Sequence, residues 1–168
     1  MTPTESDALL EGRFQGIEAF RERVRAALAH AAQAGWRELI LSDPDFHDWP
    51  LGERAVAESL QQWATAGPGR KLVMLAGHYD DVIRNHARFV TWRKTWAHLI
   101  ECRRCTAADA AALPSALWTP SWALHRLELT HSAGVCTTLP AQRLALHEAL
   151  QEALRQSSPA FPATTLGL

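Results

Sequence analysis

The sequence has few cysteines, no long apolar run and almost no net charge, and each shortage excludes a class of protein. Three cysteines in 168 residues are too few, and odd in number, for a secreted disulfide framework. No apolar run approaches the roughly 18 residues that span a bilayer, and the polar first residues do not resemble a signal peptide. A formal charge of −1 gives no bulk electrostatic argument for nucleic-acid or membrane binding. We therefore expect a cytoplasmic protein with no membrane contact, for which nucleic acid is an unlikely partner.

Apolar residues follow helical and extended spacing in turn, which is typical of an α/β fold. The predicted helices begin near residues 17, 50, 80, 106 and 140, and the 80–99 segment is predicted as one helix. The predicted strands cover 36–41, 72–76, 99–103, 122–130 and 135–139. We expect a mainly parallel sheet with an antiparallel edge hairpin, as a single domain over residues 1–156. Residues 157–168 are expected to form an extended tail.

Acidic residues and histidines follow the first two predicted strands. Asp43 and Asp45 come after the first, and His78 and Asp80 come after the second. Ligands of open α/β sheets bind beyond the carboxyl ends of the strands, so these side chains are candidates for ligand binding. Turn formation and helix capping, which also suit Asp48, explain most of these acids without a ligand. No metal and no cofactor is expected.

His125 is the histidine with the strongest claim to chemistry. Residues two apart share a face of a strand, and His125 falls on the more apolar face of its strand. A buried imidazole that faces a cleft can act as a base or a nucleophile, although a core histidine bonded to backbone is the simpler interpretation. The enzyme alternative is therefore a hydrolase or phosphodiesterase that uses His125 or His78 with nearby aspartates, with or without a metal.

Two further patterns carry weaker signals. Cys102 and Cys105 form a C-x-x-C pair, which could be redox-active or half of a zinc site, or simply two small buried residues. The segment after the second strand carries Arg84, Arg88, Arg93 and Lys94 among tryptophans. Such a helix could hold phosphates or stack bases, but a solvated basic face is the simpler interpretation at this net charge.

Several short segments together resemble a little-characterised bacterial family with a phospholipase-D-like domain. They are the stretches at 39–45, 73–80, 86–92 and 124–126, and a Ser-Pro tail that ends in Gly-Leu. The resemblance implies the α/β fold and a homodimer. Active members carry His-x-Lys, and if His125 is that histidine, Leu127 stands where the phosphate-binding lysine belongs. The resemblance therefore implies loss of the standard catalysis, because the charge that stabilises the transition state is missing.

The sequence thus favours an uncharacterised phospholipase-D-like protein that is not a standard enzyme. It is expected to bind a protein partner or a small anionic ligand at the strand-end edge. The residues assigned to that role are Asp43, Asp45, Asp80, Arg88 and Arg126, and the catalytic candidates are His125 and His78.

Overall fold

The computed structural model describes residues 9–106 and 112–162, which contain eight strands and five helices. The strands are β1 (Gly12–Phe14), β2 (Glu38–Ser42), β3 (Lys71–Ala76), β4 (Ile100–Arg104), β5 (Ser115–Trp118), β6 (Ala123–Glu128), β7 (Ala133–Thr137) and β8 (Ser158–Pro159). The helices are α1 (Ile17–Ala34), α2 (Arg54–Thr65), α3 (Asp80–Asn85), α4 (Ala87–Thr95) and α5 (Pro140–Arg155).

The strands form one mixed sheet in the order β1-β7-β6-β5-β2-β3-β4-β8. Only the β2–β3 and β3–β4 pairings are parallel, and the other five are antiparallel. The expected mainly parallel sheet is therefore wrong. The main cause is β5, which lies between two prolines in a stretch predicted as a loop and pairs antiparallel with both β2 and β6. The edge strands β1 and β8 add two more antiparallel pairings. The β6–β7 hairpin is confirmed, but its predicted place at the edge is wrong, because β1 pairs with β7 outside it.

The helix predicted over residues 80–99 is two helices, α3 and α4, with a break at His86. His86 has φ −121° and ψ 56°, which lies outside the helical region. Its Nε2 is 2.9 Å from the carbonyl oxygen of Phe46, and the side chain is buried. A tertiary hydrogen bond thus fixes the residue where the helix stops. Periodicity cannot reveal this break, because the partner is 40 residues away.

Alternate residues of β2 bury themselves on opposite faces of the sheet. Leu39 and Leu41 join the larger core, which the helices α1 to α4 cover. Ile40 joins a smaller core beneath α5, with Leu146 and Leu150. Both faces of the central strand are therefore covered, as expected for a continuous apolar run.

The tail predicted over residues 157–168 contributes the short strand β8, and 163–168 lie outside the described residues. The short helix predicted at 106–113 also falls largely on residues outside the description. Within the described ranges, no helix combines the length and the hydropathy needed to cross a membrane.

Candidate nucleic-acid interface

Asp43, at the end of β2, has a buried carboxylate whose two oxygens are both engaged. Oδ2 accepts hydrogen bonds from the backbone N–H groups of Asp45 (3.1 Å) and Phe46 (2.8 Å), which closes the turn after the strand. Oδ1 accepts a hydrogen bond of 3.0 Å from Nη2 of Arg126. The carboxylate therefore holds a turn and an arginine in place. A ligand-binding role for Asp43 stays a prediction.

Arg126, on β6, lies at the centre of a buried polar cluster. Nη1 donates to Oδ2 of Asp48 at 2.9 Å and to Oγ of Ser132 at 3.1 Å, and Nε donates to Oγ of Ser115 at 3.0 Å. The guanidinium carbon stands 4.3 Å from the centre of the Phe20 ring. Buried charges occur where they are paired and hydrogen-bonded, and this one is both. The cluster ties β6 to the end of β2, so the ligand role predicted for Arg126 remains without direct support.

The remaining ligand-binding candidates that follow β2 and β3 lie at the more exposed part of the same edge of the sheet. Oδ1 of Asp45 accepts the N–H of His47 at 3.0 Å, and Nδ1 of His47 lies 3.5 Å from Oδ1 of Asp81. His78 and Asp80 are exposed at the same edge. In the described ranges no three His, Cys, Asp or Glu side chains come close enough together to hold a metal ion.

His125 is separated from the aspartates by the sheet itself. Consecutive residues of a strand point to opposite faces, so His125 and Arg126 face away from each other. Arg126 reaches Asp43 and Asp48 on the face covered by α1 to α4, whereas His125 lines a cavity beside α5. Burial lowers the pKa of the imidazole below its ordinary value. The version of the hydrolase alternative that uses His125 with these acids gains no support from this arrangement, and the version that uses His78 stays a prediction.

The cysteines do not form a paired site. Cys102 belongs to the core under α1 to α4 and Cys105 to a cluster on the α5 face, so the sheet lies between them. All three cysteines are among the described residues, and none forms a disulfide. Burial raises the pKa of Cys102 and of Cys136 to about 12. Because the thiolate is the reactive and metal-binding form, neither residue is prepared for redox or zinc chemistry.

The basic segment over α3 and α4 turns three of its four cations outward and its aromatic side chains, Phe89 and Trp92, inward. Arg84, Arg88 and Lys94 are exposed, and none forms an ion pair within the described residues. Trp92 is buried in the larger core. Arg93 is also buried, and its Nη2 donates to the carbonyl oxygen of Phe161 at 3.2 Å. The segment therefore presents charge to solvent, while its aromatic residues serve the core.

A groove of about 560 Å³ runs between α2 and α4. Its polar lining consists of Arg54, Glu58, Gln61, Gln62, Arg88, Thr91 and Thr95. Nη1 of Arg88 donates to the carbonyl oxygen of Gly52 at 2.9 Å, which holds the guanidinium beside the loop before α2. Arg54 Nε lies 4.0 Å from Oε1 of Glu58, a long and exposed contact. Guanidinium, amide and hydroxyl donors in one groove are the groups that contact phosphate and sugar oxygens of nucleic acids.

The fold is shared with a solved DNA-binding protein. No family model matches the chain, and no curated protein matches it. Among solved structures, the archaeal chromatin protein TrmBL2, described as showing a novel mode of DNA binding, is similar with a TM-score of 0.66 and 14% sequence identity. The match covers 95% of this chain and 56% of that chain. This chain thus spans little more than half of the length of its neighbour, and the likeness shows the fold alone.

This comparison corrects the family expected from the sequence. The neighbour is an archaeal chromatin protein with a similar fold, and nothing in the comparisons indicates a phospholipase-D-like domain or a bacterial family. The resemblance rested on short segments around strand ends, and such segments recur wherever helices and strands alternate. The function inferred from it, a phospholipase-D-like protein that binds a protein partner or a small anionic ligand, is withdrawn together with the implied homodimer.

The expectation that nucleic acid is an unlikely partner is corrected as well. The neighbour binds DNA, so this fold occurs in a DNA-binding protein. The expectation came from the net charge of −1, a sum over the whole chain. Local charge decides contacts with phosphates, because a Debye length of about 8 Å at physiological salt screens distant charges.

Proposed function

We propose that this chain binds nucleic acid through the groove between α2 and α4. The observation that carries the proposal is the chemistry of the groove: two arginines and four amide or hydroxyl side chains line it, against one acid. Arg84 on α3 and Lys94 on α4 add two exposed cations without acidic partners among the described residues. The DNA binding of a protein with the same fold supports the proposal.

The charge balance predicts a weak and sequence-independent contact. Glu58 offsets part of the charge of Arg54, which leaves Arg88 as the groove's unopposed cation. Backbone phosphate contacts of this type position a protein on nucleic acid and carry no sequence information. Non-specific affinities of this kind have a Kd of about 10⁻⁴ to 10⁻⁶ M at physiological salt. Within this proposal the protein works in the cytoplasm, and three cysteines without disulfides suit such a reducing compartment.

The test is binding of a fluorescently labelled 20-base-pair duplex, followed by anisotropy between 50 and 200 mM salt. Two phosphate contacts, one from Arg54 and one from Arg88, predict a slope of about −1.8 when the logarithm of the binding constant is plotted against the logarithm of the salt concentration. Arg88→Gln should weaken binding uniformly across sequences and reduce the slope by about 1. Arg37→Gln is the matched control, because Arg37 is exposed and lies outside the groove.

Two results contradict the proposal. One is the absence of any salt-dependent binding by the wild type at millimolar protein. The other is an equal loss of affinity in Arg88→Gln and Arg37→Gln, which would show binding by diffuse charge and not by the groove. Circular dichroism of each variant verifies the fold, because Arg88 also bonds to the loop at Gly52.

A further inference from the structure

A second cavity lies on the opposite side of the molecule, between the β6–β7 hairpin and α5. Its volume is about 340 Å³. The floor is a block of four cross-strand neighbours, in which His125 faces Val135 and Ala123 faces Thr137. The wall is one stripe of α5, formed by Gln142, Ala145, Leu146 and Ala149, which are spaced three and four residues apart. The cavity is therefore built from two rigid elements.

The cavity exists because α5 carries small side chains on this flank. Leu146 and Leu150 pack against the sheet, and α5 presents alanines at 145 and 149 toward the hairpin. Two methyl groups cannot fill the space above Val135 and Ala123. A leucine at either position would reach into the cavity, since a leucine side chain has three more carbons than an alanine side chain and extends from the same helix face.

The polar side chain of His125, in the floor of the cavity, lacks a hydrogen-bond partner among the described residues. Within residues 9–106 and 112–162, the imidazole of His125 makes no hydrogen bond, although the side chain is half-buried. Half-buried polar groups in folded proteins are generally bonded to protein or to water. Burial lowers the imidazole pKa, so the ring is neutral at pH 7 and offers one N–H donor and one nitrogen acceptor.

We propose that this cavity binds a small, uncharged, mainly apolar molecule whose single hydroxyl or carbonyl group bonds to His125. Apolar walls, few polar groups and a volume above about 300 Å³ are the general properties of small-molecule sites. The space is too small for a partner helix, which is about 10 Å in diameter and needs a continuous groove. The site is independent of the proposed nucleic-acid groove, which lies on the other face of the sheet.

The probe is 2-naphthol, a bicyclic apolar molecule with one hydroxyl group, titrated into the full chain by calorimetry and by NMR of the imidazole resonances. We expect saturable binding with a Kd below about 1 mM, together with a shift of the His125 resonances. Ala149→Leu should abolish binding by filling the cavity. His125→Leu should weaken binding at least fivefold, as expected for one hydrogen bond of about 1 kcal/mol.

Ala29→Leu is the matched control, because Ala29 is an exposed helical alanine on α1, on the other side of the molecule. It should bind 2-naphthol like the wild type. Melting curves verify that each variant is folded, and Ala145→Leu replaces Ala149→Leu if the latter is not. Absence of saturable binding by the wild type, or equal binding by the cavity-filled variant, overturns the proposal. Equal binding by His125→Leu overturns the assignment of the polar contact.

Discussion

Arg126 and Asp43 form an ion pair that is sealed from solvent, with 3.0 Å between Nη2 and Oδ1 and both side chains only 2% exposed. The pair joins β6 to the end of β2, two strands that do not neighbour each other in the sheet. Asp48 and two serine hydroxyls take further N–H groups of the same guanidinium. The geometry of this edge of the sheet therefore depends on one arginine.

Asp43→Asn should destabilise the protein by about 3 kcal/mol or more. Removing one partner of a buried pair typically costs 3–5 kcal/mol, and the half-exposed Asp48 would offset only part of the charge left on Arg126. The amide NH₂ group would also face the arginine donors. Urea unfolding of wild type and variant measures the difference. Asp80→Asn is the control, because Asp80 is exposed, and it should change stability by less than about 0.5 kcal/mol. Equal effects of the two variants would contradict the structural role of the pair.

Gly134→Ala should disrupt the β6–β7 hairpin. A Cβ at residue 134 would stand 2.2 Å from the carbonyl oxygen of His125 and 2.7 Å from the Cα of Arg126, and both are backbone atoms that cannot rotate away. Overpacking against fixed atoms costs about 1–3 kcal/mol or more, and here the strand pairing itself must give. Thermal unfolding measures the loss.

Gly67→Ala is the comparison for that variant. Its Cβ would meet only the flexible side chain of Arg70, at 3.3 Å, so the expected cost is below about 1 kcal/mol. A melting temperature of Gly134→Ala within two or three degrees of the Gly67→Ala value would show that the hairpin backbone can shift to accept a Cβ at residue 134.

The sequence predicts the elements of this fold better than their arrangement. The β2 segment and α1 follow from a short apolar run and a helical stripe, and Gly35, at φ 68°, ends α1 where a glycine was expected. The strand β5 is four residues long between prolines, and its place beside β2 depends on pairing across more than 70 residues. Long-range pairing of this kind has no local signature, so the mixed sheet could not be predicted.

For the candidate sites too, single residues are predictable from the sequence and their partners in space are not. The exposure of Arg88 follows from the polar face of its helix, and the sequence pattern predicts a ligand-binding role for this residue. Its neighbours across the groove, Gln61 and Gln62, come from α2 and carry no pattern that sets them apart. The partner of Arg126 could not be predicted either, since Asp43 lies 83 residues away and equally suits a turn.

The cysteine thiols should be inert in the folded protein. All three side chains are buried, and the pKa values of Cys102 and Cys136 are raised to about 12 by burial. Because the thiolate is the reacting form, iodoacetamide at pH 8 should label fewer than one thiol per ten native chains within minutes. After denaturation it should label all three thiols of every chain. Mass spectrometry counts the labels. A disulfide between Cys102 and Cys105 after mild oxidation of the native protein would contradict their separation by the sheet.

His125 should make the protein less stable in acid. Burial lowers its pKa in the folded state below the unfolded value of about 6.5, so between these two pKa values the unfolded chain binds more protons than the folded one. Stability then rises with pH through this window, and the contribution of His125 is constant once the pH exceeds the unfolded pKa.

His125→Gln keeps a polar side chain at this position but removes the titratable group. The free energy of unfolding of wild type minus that of His125→Gln should therefore fall as the pH decreases from 7 to 5, in urea titrations at fixed salt. A difference that stays constant or grows toward pH 5 would mean that the imidazole is solvated or paired with an acid, and it would also remove the desolvated histidine on which the α5 cavity proposal relies.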